Sequence, residues 1–304
     1  MNTKRLHKKF DLIKQREEEG KNDKQTMSRS LRKFLKNKLA IAGLVVFSLI
    51  LLSSILAPLI TSYDPLGVNM SEVLQAPSAK HLLGTDKVGR DILSRVLYGG
   101  RISILVGLGS ALGAAFVGVT LGAYAGYKGG TIDKIILRIS EIFMSFPQIV
   151  LVLLLVTILG QSLTNLLIIF ILTGWGSVYR MTRAQMLSIR EEEYVQALQA
   201  FGLSDFVVAY KHMLPNAIGP ILVNITLSTA MFILEEAALS FLGLGVPLEI
   251  ATWGNILNAA QDQSVLINNW WIWLPVGIII SLFVMSVNFI GDGLRDSTDP
   301  TQQG

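Results

Sequence analysis

The residues able to do covalent or metal chemistry are few and scattered. The 304-residue chain has three histidines, His7, His81 and His212, and no cysteine. Disulfides, thiolate nucleophiles and cysteine metal sites are therefore excluded. No HExxH string, GxSxG string or catalytic carboxylate cluster is present. The run Gly84-Thr85-Asp86-Lys87-Val88-Gly89-Arg90-Asp91 has the two glycines of a phosphate loop. Arg90 and Asp91 stand where that loop needs Lys and then Ser or Thr. We therefore expect no catalytic residue, no metal site and no bound cofactor in this chain. Three carboxylates, Glu141, Glu235 and Glu236, fall inside apolar stretches. An intramembrane carboxylate is a functional candidate by default. Two neighbouring glutamates can also reach interfacial water or cap an adjacent helix, and both readings stay open.

The elements that carry these residues belong to a membrane. Apolar residues make up 51% of the chain, charged residues 16%, and the mean hydropathy is +0.51. An average soluble chain carries about a quarter charged residues. A helical crossing needs ~20 apolar residues, and six stretches qualify, at about 39–62, 102–127, 135–159, 164–181, 217–242 and 272–291. The expected fold is an all-α integral membrane protein of six spans. Its parts are a basic tail (1–38), a transmembrane domain (39–300) and a short tail (301–304). The domain holds loops at 63–100, 182–215 and 243–271. Small residues recur every fourth position in the second span: Ser110, Ala114, Gly118, Gly122 and Gly126. Such a stripe admits a close helix neighbour, either within the chain or from a partner subunit.

Charge orients these spans. Residues 1–38 carry 13 of the 26 Lys and Arg against 5 acids, and the remainder is net −4. The positive-inside rule places such a tail in the cytoplasm, beside anionic lipid. A nucleic-acid arm would interleave aromatics for stacking, and the tail has only Phe10 and Phe34. A cleavable leader has an apolar core of about 7–15 residues after a short basic start, unlike this start. Six spans return the C-terminus to the cytoplasm. Loops 63–100 and 243–271 then lie outside, and 182–215 inside. Trp270, Trp271 and Trp273 fall at the outer start of the last span, where an aromatic belt is expected.

The polar chemistry concentrates in the inner loop. Glu191 through Asp205, continuing to His212-Met213-Leu214-Pro215-Asn216, predicts two short helices. Gly202 suits the position just past a helix end, Ser204 or Asp205 the next N-cap, and Pro215 a stop before the fifth span. A connector needs only ~2–8 residues, and long structured loops commonly bind something. The string Gln196-Ala197-Leu198, three residues, Gly202, nine residues, then His212-Met213-Leu214-Pro215 resembles the EAA loop of ABC-importer permeases. Ala197, Gly202, Leu214 and Pro215 match in register, while Gln196, Leu198 and His212 replace Glu, Ala and Ile. A second Glu-Ala-Ala at 236–238 fails the pattern, with Leu242 at the glycine position. Other strings are similar to the C-type permease subunit of dipeptide, oligopeptide and nickel importers. They are Gly84-Thr85-Asp86, Gly89-Arg90-Asp91, Ser94-Arg95, Gly100-Arg101-Ile102-Ser103, Ser145-Phe146-Pro147, Glu236 through Gly245, and Thr252-Trp253-Gly254.

The resemblance implies the type I ABC importer permease fold and a non-catalytic subunit. It implies a homologous second permease subunit, two ABC ATPase subunits that bind ATP and Mg, and an outer substrate-binding protein. The partners are thus proteins and the lipid bilayer, with no nucleic acid. Tyr194, Gln196, Ala197, Leu198, Gly202, Leu203, Ser204, Asp205, His212, Leu214 and Pro215 would form the ATPase-coupling loop. Glu235, Glu236 and Trp253 would line the path or contact the binding protein. Peptides are the implied cargo and nickel or a metal chelate the alternative, although no His or Met cluster suits bare metal. A stand-alone proton-coupled carrier and a receptor or scaffold are the competing function classes.

Overall fold

The computed structural model describes residues 31–298. Most of the expected basic tail and all of 301–304 lie outside the described residues. Among the described residues the chain forms helices and no strand, beyond one bridge between Thr85 and Asp91. Helix α1 (Lys38–Ile55) starts at Asn37, whose side chain accepts from the Leu39 and Ala40 amides. A short α2 (Ala57–Ile60) turns off its end. Helix α3 (Ile92–Lys128) begins ten residues before the expected 102. The cause is local: the Asp91 carboxylate accepts from the Ser94 amide at 2.7 Å and caps the helix there.

Helices α4 (Gly130–Met144) and α5 (Gln148–Leu159) meet at 87°. The expected span over 135–159 is thus a broken one. Pro147 lacks an amide hydrogen and disfavours helix at the residue before it. Helix α6 (Leu163–Arg190) is capped by Ser162 and runs nine residues beyond the expected 181. After α7 (Glu193–Ala200) comes a π-helical stretch, Val207–Met213, a 3₁₀ turn, Leu214–Ala217, and α8 (Ile218–Phe241). These three join without a break, so Pro215 does not stop the helix. It occupies the first turn of the 3₁₀ segment, where its missing amide is harmless. Then follow α9 (Trp253–Leu257), α10 (Gln263–Asn268) and α11 (Trp270–Thr298). Among the described residues five helices are long and apolar enough to cross a membrane, and the bent pair makes six if both halves form one crossing.

Helix α3 is the centre, packed on α6 and α8, while α11 packs on α1 and α8. The small-residue stripe faces α6. A Cβ on Gly118 would stand 2.7 Å from the Trp175 carbonyl oxygen, and on Gly122 2.8 Å from that of Tyr179. The stripe is therefore consumed within the chain, which decides between the two packing readings. Arg183 of α6 holds Asp133 of α4 through Nε and Nη2, with Nη2 to Oδ2 at 2.5 Å, and the Tyr179 hydroxyl adds a third bond. Outward faces are apolar, as hydrocarbon requires: Leu39, Val45, Leu49 and Leu52 of α1 are exposed. Loops 61–91 and 242–269 pack together at the Ile92 end of α3, bridged by Lys87 and Asp262 at 2.6 Å. Segment 191–217 sits at the Lys128 end.

Candidate functional site

The segment at the Lys128 end is a docked turn with an open outer face. Helix α7 ends with its Gly202 at φ 74°. The Gly202 amide donates to the Gln199 carbonyl at 2.9 Å, and the Leu203 amide to the Leu198 carbonyl at 3.3 Å. That pair of bonds is a Schellman motif, whose usual apolar contact joins the residues here numbered 198 and 203. Leu198 and Leu203 both pack on a buried cluster of Ala123, Tyr127, Met186, Val195, Val208, Ala209 and Met213. The apolar drive that seats α7 thus also fixes the turn.

Asp205 does not cap the next helix as expected. Its carboxylate accepts from Lys128 Nζ at 2.5 Å and from the Tyr127 hydroxyl at 3.2 Å, tying the turn to the end of α3. The Lys128 ammonium holds the Asp205 carboxyl below the usual carboxylate range. Ser204 gives only its carbonyl, to the Val208 amide at 3.0 Å. The Tyr210 hydroxyl donates to the Thr120 carbonyl at 2.7 Å, and the Asn216 amide donates to the Tyr194 hydroxyl at 2.9 Å. Asn216 also donates to the His212 carbonyl at 3.0 Å. Gln196, Ala197 and Pro215 are exposed, while His212 and Leu214 are half-buried.

Two features of this segment escaped the sequence reading. Phe201 and Phe206 flank the turn and are 82% and 66% exposed. Exposed aromatics of this size on a polar turn mark a candidate binding surface. Val208, Ala209 and Met213 are fully buried. They lie in the π-helical stretch, whose bonds run from i to i+5, a local winding that the residue types do not announce.

The neighbouring carboxylates of α8 have separate environments. Glu236 is fully buried. It accepts from the hydroxyls of Ser103 at 3.1 Å and Ser240 at 2.9 Å. Ser103 in turn accepts from the Trp253 amide at 3.0 Å. Trp253 is also buried, and its indole donates to the Val96 carbonyl at 3.1 Å. Together they fasten α9 to α3 and α8. Glu235 is half-buried and accepts from Gln148 of α5 at 3.0 Å. A carboxylate facing hydrocarbon at mid-bilayer costs roughly 2.5–3.5 kcal/mol on insertion scales, which disfavours lipid as its neighbour. Glu141 is on α4, paired with Arg138 at 2.8 Å.

At the Ile92 end a cavity of about 660 Å³ lies between the two loops, with Asp86, Lys87, Arg90, Asn255 and Asp262 on its wall. The loop resembling a phosphate cradle is part of it. Asp86 accepts from the Val88 amide at 2.9 Å, the Arg90 amide at 3.0 Å and Arg90 Nε at 2.7 Å. The chain's own carboxylate thus takes the place an anion would fill. Among the described residues no group of three His, Cys, Asp or Glu is placed to hold a metal ion.

Residues 118–302 match the family described as binding-protein-dependent transport system inner membrane component. The chain belongs to that family. Residues 26–77 also match the N-terminal transmembrane domain of oligopeptide transport permease C. A dipeptide transport system permease protein of Alkalihalophilus pseudofirmus is 43% identical over 271 residues, 89% of this chain and 88% of the relative. An oligopeptide transport system permease protein of Bacillus subtilis is 39% identical over 89% of this chain and 88% of its own length. A dipeptide transport system permease protein of Bacillus subtilis is 38% identical over 88% and 84%. In this family member the first match runs from within α3 through α11, so it includes both the docked turn and the Glu235–Glu236 pair.

Proposed function

We propose that the chain is the transmembrane permease subunit of an ATP-driven peptide importer, non-catalytic itself, in the cell membrane. Its relatives are named for dipeptide and oligopeptide transport, which supports peptides over nickel as the cargo. Six crossings are formed by α1, α3, the bent α4–α5 pair, α6, the continuous 207–241 helix and α11. Both termini are cytoplasmic, as the basic tail favours. The chain pairs with a homologous permease. Two ATPase subunits, which hold ATP and Mg, meet residues 194–215, and a substrate-binding protein meets the opposite loops. Glu236 and Trp253 support the outer surface from beneath, and Glu235 belongs to the path.

One observation carries the coupling role. The turn at Gly202 is fixed on its inner side, exposes Phe201 and Phe206 on its outer side, and joins α8 without a break. Force applied to the turn therefore reaches a membrane-crossing helix directly. Coupling requires an element with two discrete positions that both sites bias, and this segment is the candidate for it. The test is the Phe201→Ala, Phe206→Ala double variant in the reconstituted importer. We expect a folded permease that captures its ATPase subunits weakly and imports little peptide. Unchanged ATPase capture and unchanged uptake would remove the segment from the coupling role.

A further inference from the structure

A polar stripe runs along the edge of the open face of α8, whose most exposed side chains there are Leu227, Met231 and Leu234. Asn224, Ser228 and Glu235 lie at i, i+4 and i+11, within one narrow stripe of the helix. All three are half-buried, and Met231, on the same stripe, is 55% exposed. The Ser228 hydroxyl donates to Asn224 Oδ1 at 3.4 Å, so these two groups partner each other. Glu235 Oε2 accepts from Gln148, the first residue of α5 after the break at Pro147. Its Oε1 has no hydrogen-bond partner among the described residues. Its neighbour Glu236 has both oxygens bonded and no exposure.

Polar and ionisable residues within spans face a water-filled cavity or another protein group, not lipid tails. The exposed faces of α1 and α5 are leucine, isoleucine and valine, as a lipid contact demands. The α8 stripe adds an amide, a hydroxyl and a carboxylate to such a face. A carboxylate with one oxygen held by Gln148 and the other open suits a passing cation. We propose that Asn224, Ser228, Glu235 and Gln148 line the aqueous path, and that Glu235 is a transient counter-ion for an ammonium group of the peptide. This rests on the peptide-importer reading. One open oxygen on a half-exposed group gives a contact weak enough to release its cargo.

The native chain has no cysteine, so single cysteines report accessibility without background. In the assembled importer, Asn224→Cys, Ser228→Cys and Glu235→Cys should react with a membrane-impermeant cationic thiol reagent. Leu49→Cys on the lipid-facing side of α1 should not. An unreactive stripe would overturn the path, showing that another subunit covers it. In a second arm, equal amounts of assembled wild-type, Glu235→Gln and Glu235→Asp importers are compared for uptake of Ala-Ala and Lys-containing dipeptides. We expect the Gln variant to raise the apparent KM about tenfold, the size of one charge-assisted contact, and the Asp variant to restore most of it. A loss shared by both dipeptides assigns the N-terminal ammonium, and one confined to the Lys peptides assigns the side chain. Wild-type KM for both in the Gln variant overturns the counter-ion role. A wild-type importer that moves no peptide would instead sink the peptide reading, while the labelling still reports the path.

Discussion

Substituting Gly202 isolates backbone conformation from every other contribution in the segment proposed to couple. Its φ of 74° lies in the left-handed region, and a Cβ there would meet nothing within 4 Å. A side chain therefore adds conformational strain and no clash. For an L-residue that strain is roughly 1–2 kcal/mol, greater for a β-branched residue and smaller for Asn. The Schellman bonds at 2.9 and 3.3 Å oppose unwinding of the turn. One to two kcal/mol shifts the balance between seated and unwound forms about 5–30-fold. The expected order of coupled uptake is Gly, then Asn, then Ala, with Val the weakest. Asp tolerates the same backbone region as Asn, so Gly202→Asp compared with Gly202→Asn isolates an added negative charge near Asp205. The assay is peptide imported per ATP hydrolysed in proteoliposomes, with subunit stoichiometry measured in parallel. Full coupling by Gly202→Val in an intact complex would refute the reasoning.

Three further outcomes follow from the packing. Gly122→Ala should destabilise the permease by about 1–3 kcal/mol, because its Cβ meets backbone and a fixed side chain. Gly277→Ala, with nothing within 4 Å, should gain up to about 1 kcal/mol of helix propensity. Thermal unfolding in detergent separates the two, and equal midpoints would contradict the α3–α6 contact. Glu236→Leu should strand the Ser103 and Ser240 hydroxyls at about 1–3 kcal/mol each, while Glu236→Gln keeps most bonds. A Leu variant as stable as the native chain would remove Glu236 from its fastening role. Asp205 has a folded pKa below its unfolded one. Its contribution is therefore complete above the ordinary carboxylate range, starts to fade within it and is lost once pH has fallen through the depressed value. Amide protection over 193–213, measured relative to the intrinsic exchange rate at each pH, should fall on acidification below the ordinary carboxylate range, and Asp205→Asn should flatten that response.

The docked turn was readable because its determinants are local. Gly202 after a helical period announces a helix end, and the apolar residues at 195 and 198 announce the buried face. The small stripe of α3 was equally visible, although only the structure showed that α6 fills it. Three features were hidden for physical reasons. Hydropathy is blind to the 87° break, since apolar residues continue from the end of α4 across Pro147 into α5. Asp91 as a cap was obscured because its loop mimics a phosphate cradle. Adjacent glutamates 235 and 236 point about 100° apart on a helix, so one enters the core and the other a groove, a choice set by neighbours far off in sequence.

Helix α3 carries both ends of the molecule on one shaft. Its first turns hold Arg95 against Asp86 and support Trp253, and its last turn holds Asp205 through Tyr127 and Lys128. At 1.5 Å per residue its 37 residues span about 55 Å, well beyond the ~30 Å of hydrocarbon. A rigid rod of that length is a lever. A tilt of about 5° about its buried glycine contact with α6 displaces the two tips in opposite directions, by about 5 Å relative to each other over that length. Under the proposed function, closure on the Lys128 side would translate into opening on the Ile92 side with no separate messenger between them.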